Sequence, residues 1–279
     1  MKKLVLGLLT IALIITAILV FRATTTFHDQ QLEPATGIGE IDLDQSAAVQ
    51  RFSRALTYPT ISYDDRSNFD AGAFRDFHDF LETSYPLVHE RASKTLVSDY
   101  SLVYHLPGSD PSLQPVLYMG HMDVVPIEEI TRDEWTHPPF DGVVDDGNIW
   151  ARGSDDDKFT VIAFMEATEL LLSEGTQPRR SIYFAFGHDE EVGGKEGAAE
   201  VAKYFKSQGI TFEYVMDEGG VVLEGMIPDI EQPVAIIGVS EKGYVNLVLT
   251  VNSPGGHSSQ PPAQTALGIL SRAIVKVED

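Results

Sequence analysis

Four short acidic stretches hold the residues best suited to chemistry: "GHMD" (120–123), "SDDDK" (154–158), "GHDEE" (187–191) and "MDEGG" (216–220). In the first, His121 offers an imidazole nitrogen to a metal, and Asp123 two positions on can hydrogen-bond the other ring nitrogen and fix its tautomer. In the second, Asp155, Asp156 and Asp157 stand in succession. Neighbouring like charges repel and are costly to bury without a partner, so a cation is expected among them. A carboxylate has two oxygens, so one aspartate can bridge two divalent ions about 3.5–4 Å apart. Taken alone, the run also reads as an acidic helix start with Ser154 as N-cap. In the third stretch Glu190 and Glu191 are adjacent, and on extended backbone they point to opposite sides. One can then bind metal while its neighbour acts as a general base, a division that suits hydrolysis. In the fourth, Asp217 ends a short strand ahead of two glycines that leave the backbone open. One histidine and three carboxylates make a hard donor set suited to zinc, manganese or cobalt.

The surrounding sequence places these residues at strand ends. Apolar runs "LVYHL", "PVLYMG", "SIYFAFG" and "EYVMD" read as strands, the first two as neighbours. Between and before them, "QSAAVQRFSRAL", "FRDFHDFLETS", "DKFTVIAFMEATELLLSEG" and "EGAAEVAKYFKSQG" read as helices, the third ending at Gly175. Alternation of this kind predicts an α/β fold, a mostly parallel sheet flanked by helices on both faces. Ligands in such sheets collect at the carboxyl ends of the strands, where the acidic clusters fall. Further on, "YVNLVLTVN" alternates as a half-exposed strand, and "AQTALGILSRAIVKVE" reads as a helix. One strand and one helix cover each other poorly, the pattern expected of a fragment.

Composition narrows the function. Acidic residues number 42 against 20 basic ones, a formal charge of −22, which argues against a nucleic-acid surface. With no cysteine, disulfides and thiolate zinc sites are impossible, so any transition metal must be held by histidine and carboxylate. Lys2 and Lys3 precede an uncharged apolar run from Leu4 to Phe21, about 27 Å long as a helix. No clear A-x-A cleavage site follows, so a signal anchor is preferred to a signal peptide over residues 1–25. The globular part is thus expected outside the cytoplasm, membrane-anchored or else secreted or periplasmic. Residues 26–47 lack periodicity and read as a tether.

The ordered motifs "GHMDVVP", "ARGSDDDK", "GHDEEVGG", "DEGG" and "PGGHSSQPP" together resemble the di-zinc family of aminoacylase, acetylornithine deacetylase, succinyl-diaminopimelate desuccinylase and carboxypeptidase S. With "WTHPPFDGVVDDGNIWARGS", they look most like the carboxypeptidase S and N-acyl-aromatic-amino-acid hydrolase subgroup. The resemblance spans roughly residues 50–275. It implies a zinc peptidase catalytic domain over 48–238 and the start of an inserted α+β lid or dimerisation domain over 239–279. It also implies two Zn²⁺ ions, replaceable by Co²⁺ or Mn²⁺, a peptide or N-acyl amino acid substrate, and a homodimer formed through the lid. By the same resemblance His121 binds one ion, Asp156 bridges both, Asp217 completes the first set and Glu191 binds the second. Glu190 is the implied general base, Asp123 supports His121, and His257 holds the substrate carbonyl or oxyanion. The family draws a further distal histidine onto the second ion, and no candidate follows His257. The polypeptide as written is therefore expected to be inactive or severely impaired. His188 is expected to hydrogen-bond at a strand end, and His28, His78, His89, His105 and His137 to be surface or structural.

Overall fold

The computed structural model describes residues 2–26, 41–228, 230, 232–240, 242–243, 245–257, 259–260 and 262–278. It forms two compact units, Met1–Glu218 and Gly219–Asp279. His28 and most of the expected tether lie outside the described residues.

The first unit begins with helix α1 (Lys2–Thr26). Among the described residues, no helix is long and apolar enough to cross a membrane. Next come α2 (Gln45–Ala55), α3 (Ala71–Ser84) and α4 (Pro86–Arg91). Asp44 caps α2 by accepting from Ala47 N, and Asp70 caps α3 by accepting from Gly72 N and Ala73 N. Proline at the first position of α4 needs no donor there. The chain continues through β1 (Ser93–Val97), β2 (Ser101–Leu106), β3 (Val116–His121), the hairpin β4 (Val143–Asp145) and β5 (Asn148–Trp150), and α5 (Lys158–Ser173). It closes with β6 (Ile182–Gly187), α6 (Ala198–Ser207) and β7 (Val215–Met216). Gly175, at φ +76°, ends α5: Gly175 N donates to Leu172 O and Thr176 N to Leu171 O, the Schellman arrangement.

The main sheet has the order β1-β2-β6-β3-β7 and is mixed. β6, β3 and β7 are parallel, with Val116 opposite Ile182 and Leu117 opposite Val215, whereas β1 and β2 run antiparallel at the other edge. The expectation that "LVYHL" and "PVLYMG" are neighbours is corrected here, because β6 lies between them. The connection from β2 runs past the start of β6, with Ser109 N donating to Pro178 O and Asp110 N to Arg179 O, instead of folding back as a hairpin.

Both faces of the sheet are covered. Leu102, Tyr104, Phe184 and Phe186 pack on Phe77, Leu81, Val161 and Met165 of the helices on one side. The alternate residues Val103, Tyr183 and Ala185 pack with Val201 and Phe205 of α6 on the other. Helix α5 starts at Lys158, and Ser154 Oγ donates to Ala151 O without capping it. The three aspartates thus precede the helix in a turn instead of filling its first turn.

In the second unit, β8 (Val221–Leu223) pairs antiparallel with β9 (Val234–Ile236), and α7 spans Ala266–Glu278. The described residues of "YVNLVLTVN" form no strand, against expectation. Alternation supplies a face, but a strand also needs a neighbour for its backbone donors and acceptors.

Candidate metal centre

His121 closes β3 and is 1% exposed. Its backbone N donates to Asp157 Oδ2 (3.0 Å), and its ring Nδ1 lies 2.9 Å from Asp123 O and 3.4 Å from Asp123 Oδ1. These contacts turn Nε2 outward, 2.9 Å from Asp156 Oδ1, 3.3 Å from Glu218 Oε2 and 3.7 Å from Glu190 Oε2. His121, Asp156 and Glu218 are the group, among the described residues, whose donor atoms all lie within 4.8 Å of one another. Gly120 is what lets Asp157 in, since a Cβ there would stand 2.8 Å from Asp157 Oδ2.

Glu190 and Glu191 occupy the turn after β6. Their backbone N–H groups both donate to the Asp123 carboxylate, at 3.1 Å each. Asp123 therefore does more than face His121: it also fixes the turn that carries the two glutamates. Asp217 accepts from Glu218 N at 3.0 Å and is not in the His121 group. His257 belongs to the second unit, exposed, with Nδ1 2.9 Å from Ser259 Oγ.

The electrostatics of the cluster are those of a site that wants positive charge. Burial disfavours an imidazolium at position 121, yet Asp123 and Glu218 push the His121 pKa up to about 12. Burial raises the Glu191 carboxyl to about 7, with Asp156 adding to it, and burial likewise raises Asp157 to about 7. Glu190 is raised too, first by burial and then by Glu218, Asp123 and Asp156. Asp123 moves the other way: burial opposes its ionisation, but His121 and the Glu191 N–H hold it below the usual carboxylate range. A divalent ion would satisfy the demand that a proton on His121 meets here, and imidazole with carboxylates is the donor set such an ion takes.

Three other described histidines make structural contacts. His188 is fully buried with Nδ1 2.7 Å from Ser101 Oγ, His89 bridges Tyr85 O and the Tyr104 hydroxyl, and His105 stacks on Tyr183. Sequence reasoning gave no role to Glu218, Asp189 or Lys158. The glycine before His121 was the available signal for Asp157. For Glu218, a two-residue strand offers no face to read.

The profile of Peptidase family M20/M25/M40 matches residues 117–277, and the chain belongs to that family. It is 44% identical over 252 residues to the probable carboxypeptidase S-like 2 of Dictyostelium discoideum, covering 89% of this chain and 47% of that protein. It is 39% identical over 237 residues to the N-fatty-acyl-amino acid synthase/hydrolase PM20D1 of Mus musculus, covering 84% and 46%. The chain thus spans about half the length of the curated relatives it matches. Human carnosine dipeptidase 1 shares the fold with a TM-score of 0.53 at 22% identity, over 64% of this chain and 39% of that one.

Proposed function

We propose that the protein hydrolyses an amide bond with divalent metal, releasing either a C-terminal amino acid from a peptide or an acyl group from an N-acyl amino acid. The carrying observation is His121 Nε2 facing Asp156 and Glu218 with Glu190 at the rim, in a chain of the M20/M25/M40 family. Both substrate classes are consistent with the names of the relatives, a carboxypeptidase S-like protein and an N-fatty-acyl-amino acid synthase/hydrolase. His121 and Asp156 would hold one Zn²⁺, and Asp156 with Glu191 a second; Co²⁺ and Mn²⁺ accept the same donors. The last donor to the first ion is Asp217 by family resemblance and Glu218 by proximity. When bound, the ions supply Lewis acidity toward the amide carbonyl and lower the pKa of an attacking water.

The protein's own groups do the rest. Asp123 holds His121 Nδ1 and the Glu190–Glu191 turn in one arrangement. Glu190 Oε2 takes a proton from the water and returns it to the leaving nitrogen, and its raised pKa brings it closer to the operating range of a base. His257, by resemblance, holds the substrate carbonyl. A metal-binding module without turnover is the weaker reading, because it has no use for Glu190 beside His121.

The proposed location is outside the cytoplasm, anchored by residues 1–25 or released, and lid-mediated homodimerisation is part of the same proposal. Both rest on the terminal sequence pattern and on family resemblance. Nucleic acid is not a proposed partner, on the −22 charge.

In the whole protein, Glu190→Gln is expected to lower kcat toward N-acyl amino acids and dipeptides by about 10²–10⁴-fold while Co²⁺ still binds. Calorimetric titration of Asp217→Asn and Glu218→Gln assigns the last donor, because the true ligand's variant loses affinity for one ion. Undiminished hydrolysis by Glu190→Gln would end the proposal.

A further inference from the structure

The two glutamates of the site hang between two buried carboxylates, and only one of these, Asp123, has a recognised part in the site. The other is Asp189, 3% exposed. Its Oδ1 accepts from Gly197 N and its Oδ2 from Glu196 N, both at 2.8 Å, at the start of α6. Its main-chain oxygen accepts from Val192 N (3.2 Å) and Gly194 N (2.8 Å), closing the turn that contains Glu190 and Glu191. One residue thus fastens the turn to itself through its backbone and to helix α6 through its side chain. The fit admits no extra atom: a Cβ on Gly197 would stand 2.3 Å from Asp189 Oδ1 and 3.1 Å from Ser101 Oγ. The preceding residue is pinned as well, with Ser62 Oγ donating to His188 O at 2.9 Å.

We propose that Asp189 is a positioning residue for the Glu190–Glu191 pair, holding both side chains at the metal site by bracing their turn against Glu196 and Gly197, the residues that lead into α6. The inference rests on the hydrolytic reading of that site. Asp189 touches no ligand atom of the His121 group, so its action passes through the backbone of the turn. With Asp123 gripping the Glu190 and Glu191 N–H groups from the β3 side, removal of either carboxylate leaves the turn held from one side only. Asparagine at 189 keeps the shape but can accept with one oxygen only, leaving one of the two N–H groups, Glu196 or the buried Gly197, facing an amide NH₂. Alanine at 197 drives the Asp189 carboxylate away without altering any titratable group.

The experiment uses the full chain with Asp189→Asn, Gly197→Ala and, as control, Glu200→Gln, whose carboxylate pairs with Lys203 on the exposed side of α6. Two readouts are taken. Hydrogen exchange of the 188–195 segment without metal is expected to quicken in the first two variants and stay at the wild-type rate in the control. Titration with Co²⁺ alone is expected to show roughly 10–100-fold weaker binding of the ion that leans on Glu191, with an altered visible absorption spectrum, again in those two variants only. Unchanged exchange in both variants, or a lowered Tm with the Co²⁺ affinity and spectrum of the wild type, would overturn the positioning role and leave Asp189 as a cap for α6. A wild-type chain that binds no Co²⁺ would instead strike at the hydrolytic reading, and the exchange result would still decide whether Asp189 holds the turn.

Discussion

Two buried histidines of the first unit have opposite charge preferences. Carboxylates surround His121 and favour its cation even against burial, whereas for His78 on α3, 7% exposed, burial outweighs the pull of Asp79. Burial, only partly offset by the Tyr100 backbone, takes His78 from its ordinary 6.5 down to about 4. Its folded-state pKa lies below the unfolded one, so stability is fully present above about pH 6.5 and is lost as pH falls toward 4, where the unfolded chain has already taken the proton. His78→Leu is expected to flatten the acid side of the stability curve by up to roughly 3 kcal/mol, read from urea unfolding at pH 7 and pH 4.5. An unchanged acid slope would locate the titrating group elsewhere. At this scale the sequence disclosed His121, Asp123, Asp156, Glu190 and Glu191 as candidates, because each sits where a strand pattern stops. It did not disclose Glu218, since β7 is two residues long and does not reveal which of two adjacent acids turns inward. Nor did it separate Asp123's grip on the glutamate turn from its contact with His121, because that grip joins residues 67 and 68 positions apart.

Between elements, the strongest polar tie joins α2 to α5. Arg51 meets Glu166 through Nε and Nη2, at 2.5 and 2.6 Å, and the Tyr85 hydroxyl donates to the same carboxylate at 2.9 Å. Glu166→Leu would strand a guanidinium whose side chain is 32% exposed, so the expected loss is about 2–3 kcal/mol, below that of a fully buried pair. The double variant Glu166→Leu/Arg51→Met should recover most of it, measured as denaturant midpoints in a mutant cycle. The helices were legible because apolar spacing and end signals agree locally, as at Gly175. Strand order was not: β2 and β3 follow one another in the chain, and only the placement of β6 between them decides the sheet. The alternating run near residue 247 shows the converse, a strand pattern without a strand among its described residues.

Across the whole chain, burial is uneven. The central strands of the first unit have aromatic and aliphatic residues packed on both faces, whereas α7 of the second unit buries none of its described side chains. Local opening free energy tracks buried apolar contact, so native-state hydrogen exchange is expected to be slowest in β2, β3 and β6 and fast in α7 of the isolated chain. Protection in α7 equal to that of β6 would contradict this. The same unevenness is consistent with the finding that the chain spans about half the length of its relatives.

Lys158 lies at the foot of the metal loop, 0% exposed, its ammonium donating to Ala55 O and Tyr58 O and standing 4.9 Å from the centre of the Phe77 ring. Burial lowers its pKa to about 7 in the closed fold, where no reagent can reach it, and opening returns it to an ordinary lysine amine. An amine-acylating reagent should therefore label exposed lysines such as Lys203 at once and Lys158 only when the first unit opens. The acylation rate at that one position, read by peptide mass, becomes a clock for opening at the seam between α2 and α5.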